Sequence, residues 1–391
     1  MFVGITNTPR DYALGSHGAI SELLGQRASG ALEAELWLGA HHGSPARIID
    51  PSQVGGATDL AQWIAADPVA ALGSGDRLPF LLKVLAAASP LSLQAHPTPE
   101  QAIAGFAREN AAGIPLTAPH RNYKDAFAKP ELIYALSERF EALCGFRPAE
   151  DLHSSIGRLI ALDAASANPN RGPLRRWLDR TGGDDSLGSV FEWLISRGEG
   201  VDELVARVTQ LARENAGEFP TVVALADAYP GDPGIVISLM LHRVTLTQGQ
   251  ALYLPAGNIH AYLSGLGVEL MTASDNVLRG GLTPKHIDVP ELLDVLDFTP
   301  GPVPYLVPST PREGVQVFHP EGQDFELVKI LDDAQLGLTG AAILVCTEGN
   351  VHLSGEHSDL DIGRGDCVYV TPDELNLVVS GYGTVFVATT A

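Results

Sequence analysis

Hydrophobic and polar positions along the chain change rhythm several times, and each change predicts a different kind of element. From Leu78 to Leu93 the run LPFLLKVLAAASPLSL is dense in apolar residues and passes directly into Gln94-Ala95-His96-Pro97, where apolar and polar positions alternate. A strand has a side-chain period of two, so this join predicts a buried strand that presents polar groups. After Glu131 the spacing becomes helical: Ile156, Leu159 and Ile160, then Leu204, Val205, Val208 and Leu211. These sets each fall on one helix face, which predicts a helical segment over residues 150–229. The breakers NPNRGP, TGGDDSLG and YPGDPG divide and close it, because proline and glycine stop helices and force turns. Strand-like text resumes at Ile235, and from Val303 onward the chain is a succession of β-rich runs such as AAILVCTEGN, VHLSGEHSD, CVYVTPDE and GTVFVATTA.

One internal echo sharpens the picture. Gln248-Gly249 ahead of Ala251-Leu252-Tyr253-Leu254-Pro255 is repeated as Arg364-Gly365 ahead of Cys367-Val368-Tyr369-Val370, with Pro372 one place later. A glycine turn, an alternating strand and a proline turn suit a pair of related antiparallel barrels. The second copy carries Glu374, Leu375 and Asn376 after its proline and no histidine, so it is expected to be metal-free. The pattern predicts a mainly β fold with a helical insertion, of the α+β class. Residues 1–149 and 230–302 would form one discontinuous domain, 150–229 a helical domain and 303–391 a C-terminal β domain.

Composition narrows the function classes. A chain of 391 residues is long enough for two or three domains. No apolar run approaches the roughly 18 residues of a membrane span, and the start MFVGITNTPRDYALGSHGA lacks a signal-like charged and apolar succession. The expectation is a cytoplasmic protein without membrane partners. Cys144, Cys346 and Cys367 are odd in number and show no CxxC spacing, which argues against both a disulfide framework and a thiolate metal site. A formal charge of -22 repels polyanions, so nucleic acid is not an expected partner, and a phosphorylated substrate would need a locally basic pocket.

Alternation also groups the chemistry. In extended chain Ser92, Gln94 and His96 project together, as do Lys129 with Glu131 and His260 with Tyr262. Pro130 would keep its segment at a strand edge or end. Two histidines, a carboxylate and an amide oxygen, with no thiolate, suit zinc or another divalent first-row metal with a position open to substrate oxygens. The other histidines read as structural or surface residues. His41 and His42 are adjacent and would face opposite ways in extended chain, His120, His153, His242 and His357 lack a carboxylate at ligand-like spacing, and His286 reads as solvated. A second cluster, ELMTASDNVLRGGLTPK, begins at Glu269 and contains Asp275, Asn276, Arg279 and Lys285; its paired glycines would let the chain turn tightly behind the Arg279 fork. A salt-bridged loop is the plainer alternative for it.

In order and spacing, LSLQAHP, NYKDAFAKPELIYAL and LPAGNIHAYLSG followed by ELMTASDNVLRGGLTPK resemble type I mannose-6-phosphate isomerases, as do AELWLGAHHGSPARI and the segment from Phe106. That resemblance implies two jelly-roll cupin barrels with a helical insertion, and the cytoplasmic interconversion of mannose 6-phosphate and fructose 6-phosphate that feeds GDP-mannose biosynthesis. It implies one zinc ion per chain on Gln94, His96, Glu131 and His260. It implies a substrate pocket of Ser92, Lys129, Tyr262, Glu269, Arg279 and Lys285, in a monomer or weak homo-oligomer. Two departures stand out: the family's YxWG is here Tyr12-Ala13-Leu14-Gly15, and its NHKPE is Phe127-Ala128-Lys129-Pro130-Glu131.

Aldose–ketose conversion moves a proton between C1 and C2 through an enediolate, so it needs a base at those carbons and positive charge at the oxygens. Glu269 is the expected base, with Lys285 or Lys129 moving protons between oxygens and Arg279 holding phosphate or enediolate oxygens. Two other classes fit parts of the pattern. His96, His260 and Glu131 match the ligand count of a non-haem iron oxygenase, against which Gln94 and the basic residues weigh. A non-catalytic sugar-binding cupin would have lost ligands.

Overall fold

The computed structural model describes residues 1–182 and 187–391, so the middle of the TGGDDSLG breaker lies outside the described residues. Two large antiparallel sheets carry the fold. The first has nine strands, among them Glu35–Leu38, Phe80–Ala87, Gln94–Ala95, Glu131–Ala135, His260–Thr272 and Leu278–Arg279. The second has ten strands and gathers every strand from Ser309–Arg312 to Asn376–Thr390. It also takes in Phe2–Thr6, which pairs with Cys367–Val370, and Arg47–Ile48. The C-terminal β region is thus completed by the first strand of the chain. Strand slightly exceeds helix, 31% against 28%, so the fold is α+β with large antiparallel sheets and a helical insertion, as expected.

Helices Ala149–Ala165, Gly172–Gly182, Leu187–Ile195, Val201–Glu214 and Pro220–Ala228 follow the expected spacing. Ile156, Leu159, Leu204, Val205, Val208 and Leu211 pack in one core with Leu93 and with Ala95 and Leu143 of the first sheet. At the far end the expected strand from Ile235 is instead helical through Gly234–Ile237 and Ser238–Met240, and strands resume at Leu241. The reason is local: Asp232 Oδ1 accepts the Gly234 N–H at 2.7 Å and starts a helical turn that its β-branched residues then follow into the core. The echoed segments keep the same local form. Gly249 and Gly365 have φ of 95° and 97°, and each precedes a four-residue strand, Ala251–Leu254 and Cys367–Val370.

Strand alternation then sets out the site. All eight residues of Phe80–Ala87 are buried. Phe80, Leu82, Val84 and Ala86 face a core shared with the second sheet, while Leu85 and Ala87 face an inner layer with Ile133, Ala135, Phe140 and Tyr262. Lys83 is on the Leu85 side. By the same rule Glu131 lies on the Ile133 side of its strand, and Glu269 lies opposite Val268 and Leu270, which face the shared core. The register completes the row: Trp37 is paired with Lys83, Lys83 with Glu269, and Met271 with Glu131. Polar side chains from four strands therefore emerge together at one end of an apolar layer. No helix among the described residues is long and apolar enough to cross a membrane.

Candidate metal centre and cleft

His96, Glu131 and His260 converge, each about 1% exposed. His96 Nε2 is 3.2 Å from Glu131 Oε1 and His260 Nε2 is 3.3 Å from Oε2. Ligand atoms on a tetrahedral zinc, each about 2.0–2.1 Å from the metal, sit roughly 3.3–3.4 Å apart, so the spacing fits such an ion. The protons decide what faces what. His96 Nδ1 is 2.7 Å from the carbonyl of Asn276, and His260 Nδ1 is 3.0 Å from that of Asn258. A carbonyl only accepts, so each ring carries a proton on Nδ1. Burial, then the Lys129 charge, pushes His96 down to about 4, so the ring is neutral at pH 7 and its one proton is spoken for. His96 Nε2 thus turns a lone pair towards a carboxylate. His96 Nε2, His260 Nε2 and Glu131 Oε2 are buried without hydrogen bonds, an arrangement of acceptors that a cation reconciles.

Gln94 lies across from His260 and beside Arg279 in the sheet, half-buried at the same edge. Pro130 ends its strand, as expected, with Glu131 the first paired residue. Lys129 Nζ is 2.9 Å from Glu131 Oε1. Burial alone would raise the Glu131 carboxyl, but the Lys129 ammonium together with His96 and His260 outweighs it and holds the group well below the usual carboxylate range. Ser92 lies on a segment pinned on both sides, by Leu91 N–H to Tyr262 O and by Leu93 with Gly280 and Gly281. The Tyr262 hydroxyl is buried without a formed hydrogen bond, and burial together with nearby Glu269 raises it well above its ordinary value.

Glu269 is 2% exposed and pairs with Lys83, Nζ to Oε2, at 2.9 Å. Burial disfavours the Lys83 charge, yet Glu269, Glu35 and Glu131 together raise it above the ordinary lysine value, so it stays an ammonium. Burial, with Glu131 and Glu35 nearby, raises Glu269 despite its partner. Trp37 closes this side, its ring 5.2 Å from Lys83 Nζ and its Nε1 donating to Glu35 Oε2 at 2.7 Å. An indole therefore stands beside the buried pair, while Leu14 packs against the inner apolar layer.

Arg279 is half-buried with no carboxylate partner among the described residues. The Gly280-Gly281 turn behind it forms as expected: Gly281 has φ of 116°, and Asp232 Oδ1 accepts from Leu282 N–H at 2.9 Å. Lys285 is exposed, and the nearby Arg279 charge, then burial, then Lys124 lower its pKa. Arg279 and Lys124 thus lie near enough to Lys285 for their charges to act on it.

The structure changes the geometry expected for two histidines. The chain leaves its strand at Leu38, so His41 and His42 do not face opposite ways; their rings stack at 4.6 Å and both reach Asp275, at 3.3 and 3.4 Å. This second cluster differs from the first in its protons. The Gly43 N–H donates to His41 Nδ1 at 3.1 Å, so the neutral ring carries its proton on Nε2 and donates it to Asp275. A protonated nitrogen has no lone pair for a metal, so His41 holds Asp275 by a hydrogen bond. His153 and His242 bond backbone carbonyls, in keeping with structural roles. The changed NHKPE segment also finds an account: the Phe127 ring lies 3.4 Å under the Arg77 guanidinium.

Lys83, Trp37, Glu35 and Lys124 were not singled out from the sequence. For Lys83 a signal existed, since one charged residue in an eight-residue apolar strand must find a buried partner.

Residues 3–149 match the family described as phosphomannose isomerase type I, catalytic domain. The chain is 36% identical to the mannose-6-phosphate isomerase of Salmonella typhimurium over 391 residues, 97% of each protein. It is 33% identical to the human enzyme of that name over 405 residues, covering 93% of this chain and 92% of the relative. A solved zinc-bound mannose 6-phosphate isomerase superposes with a TM-score of 0.86 at 34% identity, covering 100% of this chain and 99% of that one. With this whole-length likeness, and with the buried ligand cluster already described, the chain belongs to the mannose-6-phosphate isomerase family.

Proposed function

We propose that the protein interconverts mannose 6-phosphate and fructose 6-phosphate as a zinc-dependent aldose–ketose isomerase. The observation that carries the reading is the pair of imidazoles, each tied through Nδ1 to a carbonyl, whose Nε2 atoms meet a buried carboxylate at separations that suit one zinc ion. His96, Glu131, His260 and Gln94 would hold the ion. When bound, zinc polarises a carbonyl and offsets negative charge on substrate oxygens.

The chain's own groups supply the remainder. Glu269, raised by burial, takes the proton from C2 of the aldose; the freed electron pair forms the C1–C2 double bond and charge moves to O1. Transfer of the O2 proton to O1 through Lys129 or Lys285, and return of the carbon-bound proton from Glu269 to C1, give the ketose with atoms and charge balanced. Lys83 keeps the Glu269 carboxylate in place from 2.9 Å. Ser92, Lys129 and Tyr262 offer donors to sugar oxygens, and Lys129 or Lys285 exchanges protons with them. Arg279 and Lys285 form the basic locus that a phosphorylated hexose needs in a chain of charge -22. Every relative reported above is named as an isomerase, which leaves the oxygenase and the non-catalytic cupin without support. Three buried free cysteines suit a cytoplasmic setting.

The test is a coupled assay with mannose 6-phosphate on the parent and on Glu269→Gln. The variant should keep its zinc and lose turnover by about 10²–10⁴-fold. Undiminished turnover would remove Glu269 from the base role.

A further inference from the structure

Asn276 is fully buried, and every polar group it has is engaged. Its backbone carbonyl takes the His96 Nδ1 proton at 2.7 Å, and its N–H donates to Ser274 Oγ at 3.2 Å. Its side-chain Oδ1 accepts from the N–H groups of Lys124 at 2.7 Å and Asp125 at 3.3 Å. Its Nδ2 donates to the carbonyls of Asp125 at 2.8 Å and Phe127 at 2.9 Å. Two donors face the oxygen and two carbonyls face the nitrogen, so only an amide in this orientation satisfies the site. An aspartate of the same shape would set an acceptor against both carbonyls and add charge beside Asp125.

The clamped segment, Lys124 to Phe127, leads within four residues to Lys129, Pro130 and Glu131. The strand that begins two residues after Asn276 carries Arg279. One side chain therefore joins the backbone that aims His96, the loop that delivers Glu131 and Lys129, and the approach to Arg279. Lys124, whose backbone N–H the same amide holds, lies near enough to Lys285 for its charge to act on it.

We propose that Asn276 is a positioning residue that couples metal affinity to the placement of the substrate-binding segment 124–129. The inference rests on the function proposed above and extends it to a residue outside both the ligand set and the substrate contacts. Ligand-orienting groups of this kind typically account for about 10–100-fold in metal affinity.

The experiment uses full-length Asn276→Asp and Asn276→Ala beside the parent, each stripped and reloaded with zinc or cobalt(II). Zinc affinity is read by competition with a chromophoric chelator, site geometry by the visible absorption of the cobalt form, and KM and kcat for mannose 6-phosphate at saturating zinc. Asn276→Asp should weaken zinc by at least about 10-fold, shift the cobalt bands and raise KM even when zinc is saturating. Asn276→Ala, which adds no charge, should move the same three readouts in the same direction and is decisive should Asn276→Asp not fold. Folded variants with zinc affinity and KM within twofold of the parent and an unchanged cobalt spectrum would overturn the inference. A parent that binds no zinc or does not turn over would instead overturn the proposed function, so the two failures are distinct.

Discussion

Replacing Lys83 by methionine tests how the buried cluster is balanced. Lys83 and Glu269 are 6% and 2% exposed and 2.9 Å apart, with Glu35 and Glu131 acting on the same ammonium. Two unit charges roughly 4 Å apart attract by about 4 kcal/mol at an effective dielectric of about 20. Removing one partner of a buried pair costs about 3–5 kcal/mol, because the other charge is left dry and unpaired. At about 2 °C per kcal/mol for larger domains, Lys83→Met should melt roughly 6–10 °C below the parent. Adding Glu269→Gln removes the orphaned charge, and the double variant should regain at least half of that loss. The pH dependence follows in sign. With Lys83 gone, the folded-state pKa of Glu269 lies still further above its unfolded value. Such a group stabilises the fold below the unfolded pKa and loses that contribution as pH rises through the folded pKa. The deficit of Lys83→Met should therefore be smaller at pH 5 than at pH 8. Thermal unfolding followed by circular dichroism reads all three proteins. A double variant no more stable than Lys83→Met, or a deficit that grows towards acid pH, would refute the charge balance described here.

Lys285→Ala and Lys124→Ala should each raise KM for mannose 6-phosphate several-fold with a smaller change in kcat, and added salt should narrow their difference from the parent, as steady-state kinetics at two ionic strengths will show. Phe127→Ala removes the ring beneath Arg77 and should cost about 0.5–1 kcal/mol in denaturant unfolding. Arg207→Leu leaves Asp163, fully buried in the helical layer, without the Nε partner now 2.7 Å away; it should lose about 3–5 kcal/mol of stability while the folded, zinc-loaded protein keeps the parent's kcat/KM.

The metal-ligand candidates were legible because a strand's period of two marks which residues share a face, and because His96 and Glu131 each stand next to a proline while His260 follows the turn at residues 255–257. Helical spacing was equally plain in residues 150–229, where the burial of a single face decides the period. Long-range pairing was not legible. Nothing local in Phe2–Thr6 indicates that it joins Cys367–Val370, and nothing in LLKVL indicates that Lys83 meets Glu269 across a sheet. The Ile235 region misled because β-branched residues favour strands in isolation, whereas the hydrogen bond from Gly234 N–H to Asp232 and the helical core decide otherwise here. His41 and His42 were read as if extended, although the turn at Gly43 brings both to Asp275. Asn276 sat within a motif whose charged members drew attention first, and its role depends on four backbone groups of a distant loop that no spacing rule can place.

The central claim is that a buried zinc held by His96, Glu131 and His260 makes the protein an isomerase of mannose 6-phosphate. Its most direct measurement is turnover of mannose 6-phosphate by protein stripped with a chelator and then titrated with zinc, with bound metal measured in the same samples. Activity should vanish with the metal and return in proportion, saturating at one zinc per chain; zinc-free protein that forms fructose 6-phosphate at the parent's rate would contradict the account.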